Sequence, residues 1–213
     1  MRKLPLAATV LLGTALWTTA GYAGPCGTAS VATYSAAGFS CSVDGVTFSN
    51  IAVTTITSGS GTVTLGDFTP FTVGNENGLA LTYSATTGTT PGSTADVSWI
   101  YNVAGAPGLI DAFASFTGTT TGTGTADLSE TLSNGVVLSL TGPGSTTATF
   151  PAVPSLGVIK DQNNFSGSEG SSETSVLENG FSTTTSVPEP ASLGLLGMGL
   201  LGLGLIRRLR RSV

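Results

Sequence analysis

The chain contains no histidine, and only 9% of its 213 residues are charged. Without histidine there is no Ser-His-Asp triad, no Cys-His pair and no histidine zinc site. Positive charge is scarcer still. Of the 7 Lys and Arg, Arg2, Lys3, Arg207, Arg208, Arg210 and Arg211 lie at the two ends, leaving Lys160 alone in between. A body with one amine and no guanidinium is poorly provided for phosphate clamps or Schiff-base chemistry. Helix formers such as Glu, Lys, Gln and Arg are nearly absent from residues 24–186, and no stretch there keeps a 3.6-residue period. The 2 cysteines, Cys26 and Cys41, lack the CxxC spacing of a redox or metal pair. In an exported chain they read as a structural disulfide worth about 3 kcal/mol by loop closure.

What is present begins with an export signal. Met1-Arg2-Lys3 precedes an apolar stretch from Leu4 to Trp17 and small residues up to Ala23, the order of a secretory signal peptide. Cleavage is expected after Ala23, with Ala20 the competing site. The stretch is too short, and too interrupted by Pro5 and Gly13, for a spanning anchor of about 20 apolar residues.

Between the ends, Ser, Thr and Gly dominate. Of the 12 Asp and Glu only Glu189 lies outside the body, so eleven acids face one lysine and the body carries about −10. Nucleic acids and anionic bilayers, held chiefly through Lys and Arg, are excluded as partners of that surface. Short β-branched and aromatic runs recur between Gly, Pro and Asn. They predict strands near 46–49, 52–57, 62–68, 79–84, 96–103, 110–117, 126–131, 136–141, 148–150, 155–160 and 174–181. Val97-Ser98-Trp99-Ile100-Tyr101-Asn102-Val103 alternates as a strand with one buried face should. Asp44-Gly45, Asn77-Gly78 and Asn134-Gly135 are hairpin-turn candidates. Loops are expected at 85–94, 118–125, 142–147 and 163–175, with a flexible linker at the end of the body. The fold expected is all-β: an antiparallel β-sandwich, jelly-roll-like or Greek-key, flanked by the signal helix and a C-terminal transmembrane helix.

Few residues in that body invite chemistry. Asp127 and Glu130 lie close in sequence, and Asp96 or Asp111 could approach them as a glycosidase-type carboxylate pair. Acids on the rim of a sandwich are more often solvated charges, so no catalytic residue is assigned. Asp161-Gln162-Asn163-Asn164 and Asn75-Glu76-Asn77-Gly78 offer oxygen ligands for calcium, although neither follows the 12-residue loop pattern and both are ordinary turn residues. No metal or cofactor is expected. Asn164-Phe165-Ser166 fits the N-glycosylation acceptor. The run Thr119–Thr125 is too short and Gly-rich for an ice-binding array. Trp99, Tyr101 and Tyr83 are the stacking faces a glycan-binding module would use, with core packing the competing role for Trp99.

The far end carries three signals in order: Pro188-Glu189-Pro190, an apolar run from Ala191 to Ile206, and the basic cluster Arg207, Arg208, Arg210 and Arg211. The prolines cannot donate backbone hydrogen bonds and hold Glu189 in extended chain. The arginines should stay cytoplasmic, leaving the body outside. These residues resemble the sorting signal of PEP-CTERM proteins, exported bacterial proteins. The resemblance implies that exosortase, a membrane protease, recognises Pro188-Glu189-Pro190 and removes the tail. Bacterial origin also makes N-glycosylation at Asn164 uncommon. Cys41–Asn50, Val158-Ile159-Lys160-Asp161 and Asn179-Gly180-Phe181-Ser182 resemble segments of one β-rich set in that class, linked to exopolysaccharide production.

The expected organisation is a signal peptide (1–23), a β-sandwich domain with one disulfide (24–181), a linker (182–187) and the sorting signal (188–213). The expected function is a non-catalytic surface or matrix protein, with signal peptidase and exosortase as processing enzymes and extracellular polysaccharide as partner. The alternatives are a glycan-binding module or adhesin, and a carboxylate-dependent carbohydrate-active enzyme. The membrane enters only through the precursor's C-terminal helix.

Overall fold

Period-two alternation is carried further along the chain than its apolar runs alone suggest. The structure, a computed structural model, describes residues 23–184. The signal peptide ahead of Ala23, the sorting motif, the C-terminal helix and the arginine cluster lie outside the described residues. In chain order the elements are β1 (Gly24–Pro25), β2 (Ala29–Ser30), the single-turn α1 (Val31–Tyr34), β3 (Ser40–Val43), β4 (Val46–Ser58) and β5 (Thr62–Val73). They continue with β6 (Glu76–Thr86), β7 (Thr94–Gly122), β8 (Thr125–Leu132), β9 (Val137–Leu140), β10 (Gly144–Phe165) and β11 (Gly170–Phe181).

All 11 strands belong to one hydrogen-bonded sheet, whose path runs β1-β3-β4-β7-β11-β6-β5-β2. From β7 a branch runs through β10 and β8 to β9. The all-β expectation holds, but the pairing describes one curled sheet rather than two separate ones. The long strands are the reason. The first half of β7 pairs with β4 on one edge and with the end of β10 on the other. Its second half pairs with the start of β10 and with β11. Gly105-Ala106-Pro107-Gly108 and Pro151–Pro154, which read as breaks, are bends inside these continuous strands. The paired register shifts near both. Similarly, 46–49 and 52–57 merge into β4 through an irregularity at Asn50, whose φ is 53°.

Curling turns the inner faces of the two halves toward one core. Trp99 of β7 meets Phe68 of β5 at 4.9 Å between ring centroids, and Phe48 of β4 meets Phe181 of β11 at 6.4 Å. Each fully buried large side chain contributes about 1.5–3 kcal/mol relative to exposure. Trp99, Tyr101, Phe48, Phe68, Phe116, Leu79 and Leu81 therefore set the interior.

Two turns form as expected. Asp44 and Gly45 take φ of 41° and 86° between β3 and β4, and Gly135 takes 88° between β8 and β9. Asn77-Gly78 does not turn. The chain reverses at Gly74-Asn75, and Gly78 lies within β6, where a Cβ would collide with the Asn179 carbonyl and the Phe71 ring. The Gly/Thr segment 118–122 is also strand, paired with Gly170–Thr174. Cys26 and Cys41 form the expected disulfide, with Cα atoms 4.8 Å apart, beside the parallel pairing of β1 with β3. The first linker residues are pinned: Ser182 N–H donates to Asp111 Oδ1 at 2.6 Å, and Thr184 N–H to the Gly108 carbonyl at 2.9 Å.

Candidate functional site

β10 runs between β7 and β8, so alternate side chains of its second half must enter the core. Those residues are Val158, Lys160, Gln162 and Asn164, all buried. Three are polar. Lys160 is fully buried, and Glu130 of β8, also fully buried, is its register partner. Lys160 Nζ lies 2.9 Å from Glu130 Oε2 and donates to the Glu178 carbonyl at 2.5 Å. The contact with Oε2 is an ion pair, and that oxygen has no hydrogen-bond partner. The other oxygen, Oε1, accepts from Asn179 Nδ2 at 3.2 Å. Asn179 Nδ2 also donates to the Phe113 carbonyl at 2.6 Å, and Asn179 Oδ1 accepts from the Tyr101 hydroxyl. One carboxylate thus touches an amine and a carboxamide at once, inside a core walled by aromatic rings.

The electrostatics follow from burial. Desolvation lowers the Lys160 pKa, against which the charges of Glu130 and Glu178 pull upward. Desolvation and the Glu130 charge push the Tyr101 pKa up. Burying such a pair costs several kcal/mol per ion before their attraction offsets it, so stability alone is a weak account of it. With Lys160 inside, no cation among the described residues reaches solvent.

A second buried network adjoins it. The Tyr83 hydroxyl and the Thr174 hydroxyl both donate to Gln162 Oε1 at 3.0 Å. Gln162 Nε2 donates to Asn164 Oδ1 at 3.3 Å, and Asn164 Nδ2 donates to Thr174 Oγ1 at 2.8 Å. The Ser172 hydroxyl completes it, donating to Asn164 Oδ1 at 2.6 Å.

The residues singled out from sequence disperse. Trp99, Tyr101 and Tyr83 are buried, so none offers a ring to a glycan. The carboxylate pair fails because Asp127 is exposed while Glu130 faces the core, as their odd spacing on one strand requires. Asp96 and Asp127 flank Asn163 on opposite sides, two strand spacings (about 10 Å) apart. Asp96 pairs instead with Asp161, and burial plus that neighbouring charge raise its pKa to about 6. Asp111 lies near Glu76, whose pKa burial and the Asp111 charge raise to about 7. Asp161–Asn164 is strand rather than loop, so its side chains alternate between faces and cannot ring a calcium ion. Among the described residues no cluster of three His, Cys, Asp or Glu is placed to hold a metal. The Asn164 amide of the glycosylation match lies in the core, donating to Thr174 and the Ala85 carbonyl.

Lys160, Glu130 and Asn179 as a group went unseen, since solvated charge is the default reading. The parity of Val158 and Lys160 was the available signal. A continuous strand that buries one must bury the other.

The outer face of β4, β7, β10, β8 and β9 carries an apolar row in register: Ala52, Ile100, Ile159, Thr131 and Val137. Ile100, Ile159 and Val137 are exposed by 45%, 52% and 59%. A groove there is floored by Gly157 and edged by Ile100, Ile159, Asn102, Thr131 and Ser133. It combines apolar surface with an amide and two hydroxyls.

The body is thus an all-β domain with a buried ionic and amide centre and a shallow outer groove. Residues 186–211 match the PEP-CTERM protein-sorting motif, so the chain carries the sorting signal of exported, exosortase-processed proteins. No curated protein matches the chain. Among solved structures, the enzymatically active domain of tailspike protein 4 from bacteriophage CBA120 aligns at 18% identity and TM-score 0.29. That alignment covers 62% of this chain and 19% of that one, so this chain spans about a fifth of the tailspike's length. A family 11 carbohydrate-binding module of a Clostridium thermocellum cellulosomal cellulase aligns at 11% identity and TM-score 0.26, covering 62% and 88%. A family two carbohydrate esterase from Cellvibrio japonicus aligns at 15% and 0.22, covering 62% and 34%. No helix among the described residues is long and apolar enough to cross a membrane.

Proposed function

We propose that the protein is a non-catalytic component of the cell surface or extracellular matrix. Its precursor is held by the C-terminal segment and cut at Pro188-Glu189-Pro190, and its β body contacts extracellular polysaccharide through the outer groove. The observation that carries the reading is the PEP-CTERM match at residues 186–211. Three features support the absence of external catalysis. The body has no histidine or arginine, its one lysine is buried, and its carboxylates are divided between the two faces of the sheet. The groove suits the apolar face of a neutral sugar ring, with Asn102 and Ser133 placed for its hydroxyls. An anionic polymer is disfavoured by the surrounding acids.

Three measurements test this. Mass spectrometry of the native protein from envelope and supernatant should show a body lacking the tail. A variant with Glu189→Ala should remain in the membrane fraction. The exported body should be retained on neutral cell-surface polysaccharide, and Ile159→Asp should abolish retention at unchanged stability. A tail intact in every mature molecule overturns the sorting step; retention indifferent to Ile159→Asp overturns the groove.

A further inference from the structure

The geometry points to an intramolecular isopeptide bond between Lys160 and Asn179, formed by the folded chain itself with Glu130 as its acid–base catalyst. This goes beyond the functional reading and does not rest on it. The reacting groups lie on three strands that only the fold brings together: β10, β11 and β8. Lys160 Nζ lies 2.9 Å from Glu130 Oε2 and donates at 2.5 Å to the carbonyl of Glu178, the residue joined to Asn179. Glu130 Oε1 accepts from the Asn179 amide nitrogen at 3.2 Å. The Tyr101 hydroxyl donates to the Asn179 amide oxygen, where negative charge would develop during attack. Lys160, Glu130, Asn179 and Tyr101 are all buried at 0–1% exposure, beside Trp99. Water is excluded, and the Glu130 carboxylate, touching the amine with one oxygen and the amide with the other, holds the two groups in one site, which replaces a bimolecular encounter by a local one.

The step balances without any outside reagent. The Lys160 ammonium passes a proton to the Glu130 carboxylate, leaving a neutral amine and a neutral acid. The amine lone pair attacks Asn179 Cγ as the C–O π pair moves to Oδ1, which Tyr101 stabilises. Glu130 returns its proton to Nδ2 and takes one from the attacking nitrogen. The C–Nδ2 bond breaks and ammonia leaves. Of the three ammonium protons, one stays on the new amide, one departs in ammonia and one stays on Glu130. Two buried charges become none. The reaction therefore removes the desolvation cost that makes the ion pair expensive to keep.

The absence of other lysines and arginines gives a clean test. Lys160 is the one trypsin site between Lys3 and Arg207, and an acylated lysine is not cut. The full chain is reduced, unfolded and digested with trypsin and, separately, with a glutamate-specific protease. With the bond in place, Lys160 stays uncut, and the peptide beginning at Thr131 is joined to the one beginning at Asn179 with the loss of one ammonia. Asn179→Ala and Glu130→Gln restore cleavage at Lys160 and remove the joined peptide, whose Lys160 arm begins at Asn77 in Glu130→Gln because the cleavage site after residue 130 is gone. Wild-type protein cut fully at Lys160, with both peptides at their sequence masses, overturns the proposal whatever the variants do. A joined peptide that persists in Glu130→Gln overturns the assignment of Glu130.

Discussion

The Tyr83 hydroxyl donates to Gln162 Oε1 at 3.0 Å across the core, tying β6 of one half of the curled sheet to β10 of the other. Tyr83→Phe leaves Thr174 still donating to that oxygen, so it should cost only about 1 kcal/mol. Gln162→Leu leaves the Tyr83 and Thr174 hydroxyl donors without their acceptor and takes one partner from Asn164, and should cost about 3 kcal/mol. Urea unfolding of the two variants checks the ranking. Equal costs would mean that the network is not acting as a unit.

Stability should rise as pH falls from 8 to 5. Glu76 has its pKa raised from 4.5 to about 7 by burial and by Asp111, and Asp96 from 3.8 to about 6 by burial and by Asp161. In those windows the folded chain binds more protons than the unfolded one, so raising the pH through them costs stability. Both groups are partly solvated, which holds each contribution to about 1 kcal/mol. Glu76→Gln should stabilise the protein at pH 8 and flatten the thermal midpoint between pH 4.5 and 7. A midpoint that climbs with pH contradicts this.

Reduction of Cys26–Cys41 should lower stability by about 3 kcal/mol, because the open chain regains the freedom of a loop of about 16 residues. The effect belongs to the segment carrying β1, β2 and α1. Hydrogen exchange should therefore accelerate there first, while amides of β7 and β10 stay protected.

With Trp17 replaced by Phe, fluorescence reports Trp99 alone. Its ring is fully buried between Phe68 at 4.9 Å and Tyr101 at 4.7 Å. Emission should be blue-shifted, resistant to iodide quenching and unchanged by saturating glycan. A shift on glycan addition would place the sugar at Trp99 rather than at the Ile100–Ile159 groove.

Strand positions were legible where alternation and turn chemistry agreed, as at Val97–Val103 and Asn134-Gly135. They were misread where Gly and Pro stand inside a continuous strand. Gly105-Ala106-Pro107-Gly108 bends β7 without ending it, and local composition cannot tell a bend from a break when the partners on both edges lie far away in sequence. The same long-range pairing turned 118–122 from a loop into strand. The buried centre was illegible for a different reason. Lys160, Glu130 and Asn179 are polar residues whose burial depends on three strands meeting, and each looks solvated alone. The export signal, by contrast, is local in sequence, so Pro188-Glu189-Pro190 and the arginines could be read directly.

Sequestering Lys160 leaves the outside of the body a fixed polyanion. Wherever copies accumulate, electroneutrality obliges them to gather cations from the surrounding medium, and the osmotic pressure of those counter-ions pushes neighbouring copies apart. A layer built from this domain should therefore swell in dilute medium and contract in salt, acting as a hydrated store of cations.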